Sequence, residues 1–128
     1  KGLRVDAIGW QAHLRTNSLS NEDLKYLDFL MDWAHKNNLE FHITELNLWV
    51  KVEAPNLDSV QIIQAELYKK IMDKMISKKN NGVVALNFWG IKDRKGPSKL
   101  NKNILSIYDQ SLHPNPALNA VKKSLKSK

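Results

Sequence analysis

The sequence predicts an α/β fold built on parallel strands. Three observations point to it: apolar strand-like runs alternate with amphipathic stretches, three such cycles follow one another, and polar or aromatic residues gather at the same end of every strand. Strand starts repeat roughly every 35–42 residues, enough for a helix to cross back and set the next strand parallel to the last.

The first strand is expected from Val5 to His13. Ser20 offers an N-cap and Asp23 the acid of a capping box, so a helix follows with Leu24, Leu27, Leu30, Met31 and Ala34 inward, closed by Asn37 and Asn38. Glu40 to Leu48 reads as the second strand. A loop containing Pro55 precedes a long helix capped by Asp58, with Val60, Ile63, Leu67, Ile71 and Met75 on its buried face. Asn80-Asn81-Gly82 stops it, and Gly82 to Trp89 forms the third strand. Gly90 to Asn103 reads as a long loop with a Gly96-Pro97 turn, followed by an apolar patch from Ile104 to Tyr108. A last helix carries Leu118, Val121 and Leu125, with Pro116 near its first turn.

Composition narrows the function classes. Hydrophobic residues make up 42% and charged residues 26% of the 128 positions, an ordinary globular balance that argues against disorder. The formal net charge of +7 raises the question of nucleic acid, but the lysines scatter over helix faces and a basic tail, and arginine occurs only at Arg4, Arg15 and Arg94. That pattern favours a solvated surface over a phosphate-binding footprint. No apolar run is long enough to span a bilayer, so no membrane partner is expected. Lys1 to Val5 lacks the layout of a targeting signal. Zero cysteines exclude a disulfide framework and a thiolate zinc site. His35, His42 and His113 lack ligand partners at useful spacing, so neither a metal nor another cofactor is expected.

Three parallel strands leave two open edges, and such sheets are normally closed or covered. The chain is therefore expected to be part of something larger, or to self-associate.

Functional groups of parallel α/β folds collect at the C-terminal strand ends. Here those ends read Gly9-Trp10-Gln11-Ala12-His13, Ile43-Thr44-Glu45-Leu46-Asn47 and Leu86-Asn87-Phe88-Trp89-Gly90. Two-residue periodicity puts Gln11 with His13, and Glu45 with Asn47 and Ile43. A carboxylate beside a histidine suits a nucleophile or an acid/base group. The same residues also fit a solvated strand-end carboxylate and a satisfied core histidine. Trp89 would suit the apolar face of a sugar ring, and Trp49 either lines the same cleft or packs under a loop. Trp10 and Trp33 are expected to serve packing.

These three strand-end motifs, with Phe88-Trp89-Gly90-Ile91-Lys92-Asp93 and the closing segments Ile104–Asp109 and Pro114–Leu118, resemble glycoside hydrolase family 10, the retaining endo-β-1,4-xylanases. The resemblance implies that residues 1–128 are a partial catalytic domain, the C-terminal three βα units (strands six to eight) of a (β/α)8 TIM barrel, which normally needs about 250 residues. It implies Glu45 as catalytic nucleophile, His13 hydrogen-bonded to it, Gln11 and Trp89 binding the sugar, and Asn47 supporting His13. The substrate would be xylan or a xylo-oligosaccharide, and the partner the missing N-terminal barrel half or a second copy. The parent enzyme would be secreted or periplasmic.

Three departures accompany the resemblance. The family's acid/base glutamate follows an asparagine at a strand end, whereas the Asn-Glu pair here, Asn21-Glu22, falls in a helix's first turn. The isolated chain is therefore expected to be inactive. Asn47 stands where the family usually has aspartate, so a negative charge that would favour imidazole protonation is missing. Arg94 to Lys99 lacks the tryptophan common after the Asp93 position. A degenerate, non-catalytic carbohydrate-binding remnant is the alternative reading.

Overall fold

The computed structural model describes residues 2–51, 56–96 and 102–127; the expected loop residue Pro55, and Pro97 of the expected turn, lie outside them. Six strands and three helices follow in the order β1 (Ala7–Trp10), β2 (His13–Arg15), α1 (Asn21–Lys36), β3 (Glu40–Lys51), α2 (Leu57–Lys78), β4 (Val84–Phe88), β5 (Arg94–Lys95), β6 (Lys102–Leu105) and α3 (Pro116–Lys126).

β3 is the spine of the sheet. β1 pairs with it in parallel, Ala7 opposite Glu40 and Trp10 opposite Ile43, and β4 pairs in parallel on its other side, Phe41 opposite Val84. The expected first strand is broken in two, because Ala12 adopts φ 55 and interrupts the extended backbone. β2 then resumes along β3, His13 opposite Asn47. The alternating β-α-β-α-β order with parallel pairing is the α/β barrel architecture expected, in partial form.

One part of the expectation fails. The sheet is mixed: β6 runs antiparallel to the far end of β3, with Leu48 opposite Leu105, and β5 runs antiparallel to β6. The stretch from Gly90 to Asn103 is therefore not simply a loop. Antiparallel pairing satisfies the backbone of a long β3 that would otherwise outrun its parallel neighbours.

Helix starts follow local chemistry. Ser20 accepts from the Asp23 backbone N–H at 3.1 Å, while the Asp23 carboxylate accepts from Ser20 N at 2.8 Å, completing the expected capping box. These bonds hold the Asp23 carboxyl below the usual carboxylate range, the Ser20 side chain contributing most. α2 is capped by Asn56 and not by Asp58, which sits in the first turn where its charge faces the helix dipole. Pro116 opens α3, as expected.

Phe41, Ile43, Leu46 and Leu48 of β3 form the core with Met31 and Ala34 of α1, Leu67, Tyr68 and Ile71 of α2, and Ala117 and Val121 of α3. Each such large apolar side chain contributes about 1.5–3 kcal/mol on burial. Lys74–Asp28 and Lys78–Asp32 tie α2 to α1, so part of the lysine surplus is paired.

Leu30, Trp33 and Leu125 were expected inside and are 42%, 45% and 58% exposed. For Leu30 and Trp33 the reason is a second apolar stripe on α1, Tyr26, Phe29, Leu30 and Trp33, turned away from the Leu24, Leu27, Met31 and Ala34 face that meets the core. Beside it a cleft of about 360 Å³ opens between β1 and α1, lined by Ile8, Trp10, Leu19 and Phe41 among others. Among the described residues β1 and β4 each pair with β3 alone, so both parallel edges are open.

Candidate active site

The break at Ala12 shapes the site. Ala12 is 1% exposed and its carbonyl accepts from Asn47 N at 3.4 Å, so the chain folds over the end of β3 and carries Gln11 and His13 with it. Gly9 matters for the approach of β1, since a Cβ there would stand 3.0 Å from the Thr44 methyl group. Thr44 Oγ1 also donates to the Trp10 carbonyl at 3.3 Å.

On β3 the alternation of faces inverts partway. Phe41 and Ile43 are buried, and then Leu46, Leu48 and Val50, a spacing that breaks the period of two between Ile43 and Leu46. The register with β4 slips over the same interval. Glu45 therefore shares its face with Asn47 and Trp49 and not with Ile43, which belongs to the helix side. The expectation that Ile43 would lie with them is corrected by this irregularity, a device that re-aims side chains near functional sites.

The residues singled out in the sequence come together. Gln11 Nε2 donates to Glu45 Oε1 at 3.2 Å, and His13 Nε2 lies 3.1 Å from Glu45 Oε2. His13 Nδ1 lies 3.0 Å from Asn47 Oδ1, and Asn47 is fully buried. The Glu45 side chain retains 21% exposure, so it is braced on both oxygens yet open to a ligand. Trp89 stands edge-on to the His13 ring with centroids 6.3 Å apart, and its backbone N–H bonds to Leu46 O at 3.0 Å. At 45% exposure it keeps a ring face available for an apolar surface such as a sugar. Gly90 follows with φ 87, a left-handed turn that glycine allows without strain.

Trp49 was undecided from the sequence; its ring lies edge-on to His13 at 6.0 Å, so it joins the site's wall. The inverted period places it there, and the same period read from Asn47 could have found it. Asn21 and Glu22 lie in the first turn of α1, as the sequence indicated.

Asp93, the last residue of the third motif, holds a buried network together. It is 8% exposed and accepts from Ser106 N at 2.7 Å and from Asn115 Nδ2 at 3.1 Å. Burial pushes its carboxyl above the usual range, opposed by those two donors. Asn115 also donates to Ser106 O at 3.2 Å and accepts from Gln61 Nε2 at 3.1 Å, while Gln64 donates to Ser106 O at 2.9 Å. Ser106 Oγ donates to Gly90 O. The network thus fixes the turn after Trp89 to α2 and to the start of α3. No pattern in the sequence announced it beyond single polar residues between apolar ones.

The remaining histidines have local partners: His35 with Val83 O at 3.1 Å, His42 with Glu40 at 2.8 Å, and His113 with Asp109 at 3.2 Å.

Chemically, the arrangement holds one carboxylate with defined oxygen directions beside an imidazole and an aromatic platform, which suits attack on a sugar carbon. Comparison with known proteins agrees in kind. Residues 1–124 match the model of "Glycosyl hydrolase family 10". The chain is 27% identical to endo-1,4-beta-xylanase C of Paenibacillus barcinonensis over 91% of its own length and 12% of that protein, and 26% identical to endo-1,4-beta-xylanase B of Thermotoga neapolitana over 100% and 36%. It therefore spans well under half of these relatives. The structure of native xylanase 10B from Thermotoga maritima superposes with TM-score 0.81 and 23% identity, over 96% of this chain and 37% of that one. Xylanase 10B from Thermotoga petrophila, solved in complex with xylobiose, superposes with TM-score 0.78 and 26% identity, over 95% and 36%. With 124 of 128 positions inside the family model and an α/β fold that superposes on these structures, the chain belongs to glycosyl hydrolase family 10.

Proposed function

We propose that this chain supplies the nucleophile side of a retaining endo-1,4-β-xylanase site, acting on xylan or xylo-oligosaccharides when the barrel is whole. The observation that carries the reading is Glu45, its two oxygens held at 3.2 Å by Gln11 and 3.1 Å by His13 at adjoining strand ends. Relatives named as endo-1,4-beta-xylanases support the substrate class, as do family structures described with xylobiose and with xylotetraose.

In this reading Glu45 attacks the anomeric carbon as the glycosidic C–O bond breaks, giving a glycosyl ester. A second carboxyl, about 5–5.5 Å away, protonates the leaving oxygen and then takes a proton from the water that cleaves the ester. His13 fixes the Glu45 oxygen, Gln11 binds the sugar while steadying the other oxygen, and Trp89 floors the sugar ring. Asn47 orients His13. The second carboxyl comes from strands outside this chain, since Glu22, the glutamate of the chain's one Asn-Glu pair, is committed to the start of α1.

Residues 1–128 then form strands six to eight of the barrel, and the open edges of β1 and β4 receive the other strands. A second copy is the other candidate occupant. The parent enzyme acts where polymeric xylan is found, in the secreted or periplasmic space. Exposed Trp89 and uncharged Asn47 also favour a non-catalytic carbohydrate-binding remnant.

Turnover of xylan and an aryl xyloside separates these readings. The isolated chain should give none, and the chain joined to the upstream barrel strands of a family relative should hydrolyse both, with loss on Glu45→Gln. Robust turnover by the isolated chain would sink the incomplete-site reading. Calorimetric binding of xylo-oligosaccharide by the completed barrel without cleavage would support the remnant instead.

A further inference from the structure

Asn47 can do something that an aspartate in its position cannot. It is fully buried, its Oδ1 lies 3.0 Å from His13 Nδ1, and its Nδ2 is buried with no hydrogen-bond partner among the described residues. Across the ring, His13 Nε2 faces Glu45 Oε2 at 3.1 Å. An ionised carboxylate only accepts, so Nε2 must carry a hydrogen for that contact to attract.

When the imidazole is charged, both nitrogens carry hydrogens, and Asn47 Oδ1 is the correct partner for Nδ1. When the imidazole is neutral and keeps its hydrogen on Nε2, Nδ1 becomes an acceptor. Amide oxygen would then face a bare nitrogen, lone pair to lone pair. A half-turn of the amide brings the unpartnered Nδ2 to the same spot and makes an N–H···N bond. Oxygen and nitrogen ends of an amide are nearly equal in shape, so the pocket accepts either. An aspartate offers only acceptors, and a neutral imidazole between two carboxylates has one hydrogen for both.

We propose that Asn47 is a reversible positioning residue, turning its amide over as His13 gains or loses a proton, so that His13 donates to Glu45 through Nε2 in both charge states. Among the described residues, the titratable group paired with the ring is Glu45 on β3; Asn47, Trp49 and Trp89, which also meet it, carry no charge. The consequence for catalysis, a nucleophile whose orientation is insensitive to the histidine's charge, rests on the reading of Glu45 given above. The hydrogen-bond exchange itself does not.

The test is two-bond proton–nitrogen NMR of the nitrogen-labelled 128-residue chain through the imidazole titration. Above the transition His13 should show hydrogen on Nε2 with Nδ1 bare, and the Asn47 side-chain amide signals should move with the ring's midpoint. In Asn47→Asp the midpoint should rise by about one pH unit or more, because a carboxylate favours the charged ring. A neutral ring with hydrogen on Nδ1, an Asn47 amide that ignores the titration, or an Asn47→Asp midpoint equal to the parent's would each overturn the proposal. The parent chain alone decides the tautomer, so the test holds even if the variant does not fold. No turnover is read, so failure of the xylanase reading is distinguishable.

Discussion

Replacing Asn115 with alanine strips the network behind Trp89 of its central donor. Asn115 is 3% exposed; its Nδ2 serves Asp93 at 3.1 and 3.3 Å and Ser106 O at 3.2 Å, and its Oδ1 accepts from Gln61 at 3.1 Å. Ser106 O keeps the Gln64 bond at 2.9 Å, and half-buried Gln61 can turn toward water, so those two losses are small. Asp93 suffers most, because a buried carboxylate losing a donor forfeits about 1.5–3 kcal/mol. With the lesser losses added, the variant should be less stable by about 2–4 kcal/mol near neutral pH. Helix capping does not confuse the measurement, since Asn115 makes no side-chain cap bond. In urea, followed by circular dichroism, the midpoint should fall by roughly 1–3 M at unchanged slope. The pH dependence fixes the cause. Burial raises the Asp93 carboxyl and Asn115 opposes that rise, so alanine should raise it further. The cost of a raised carboxyl is absent below its unfolded range and grows as pH rises through its folded value. The defect should therefore shrink at about pH 3. A variant within about 0.5 kcal/mol of the parent, or one equally weak at both pH values, would refute the assignment of Asp93 as the charge that Asn115 holds.

Other substitutions probe the frame. Ile71→Ala empties a position with 0% exposure beneath the sheet and should cost about 2–5 kcal/mol in the same urea assay. Gly82→Ala puts a Cβ into the His35 ring and should break the His35–Val83 bond, lowering stability by about 1–3 kcal/mol; an unchanged midpoint would mean that the ring moves freely aside. Ser20→Ala removes both hydroxyl bonds to Asp23 and should lower the thermal midpoint. Because Ser20 lowers the Asp23 carboxyl, the parent's advantage should be present above the carboxylate range and fade as pH falls through it.

The legible parts of this protein are those fixed locally. Ser20 and Asp23 announce their helix because the capping box is completed within four residues, and Pro116 fits only a helix's first turn. Glu45, His13, Gln11 and Trp89 were legible as a group because parallel strands bring their ends to one rim. What was missed depends on distant partners. The antiparallel pairing of β5 and β6 joins lysine-rich segments with no alternating pattern of their own. Two capping candidates stand two residues apart at Asn56 and Asp58, and only the geometry shows that Asn56 is the one whose side chain accepts from Ser59 N. The slip between Ile43 and Leu46 has no composition signal, yet it decides which residues share a face with Glu45. Leu30 and Trp33 satisfy helical spacing as well as Leu27 and Met31 do, and periodicity cannot say which of two apolar stripes meets the core.

The most direct measurement of the central claim is covalent trapping. The barrel completed with upstream family strands would be treated with a 2-fluoro xyloside bearing a good leaving group, then digested and mapped by mass spectrometry. One xylosyl adduct is expected, carried on the carboxyl of Glu45 and absent from Glu45→Gln. An adduct on a different carboxyl, or sustained hydrolysis in the Glu45→Gln variant, would contradict it.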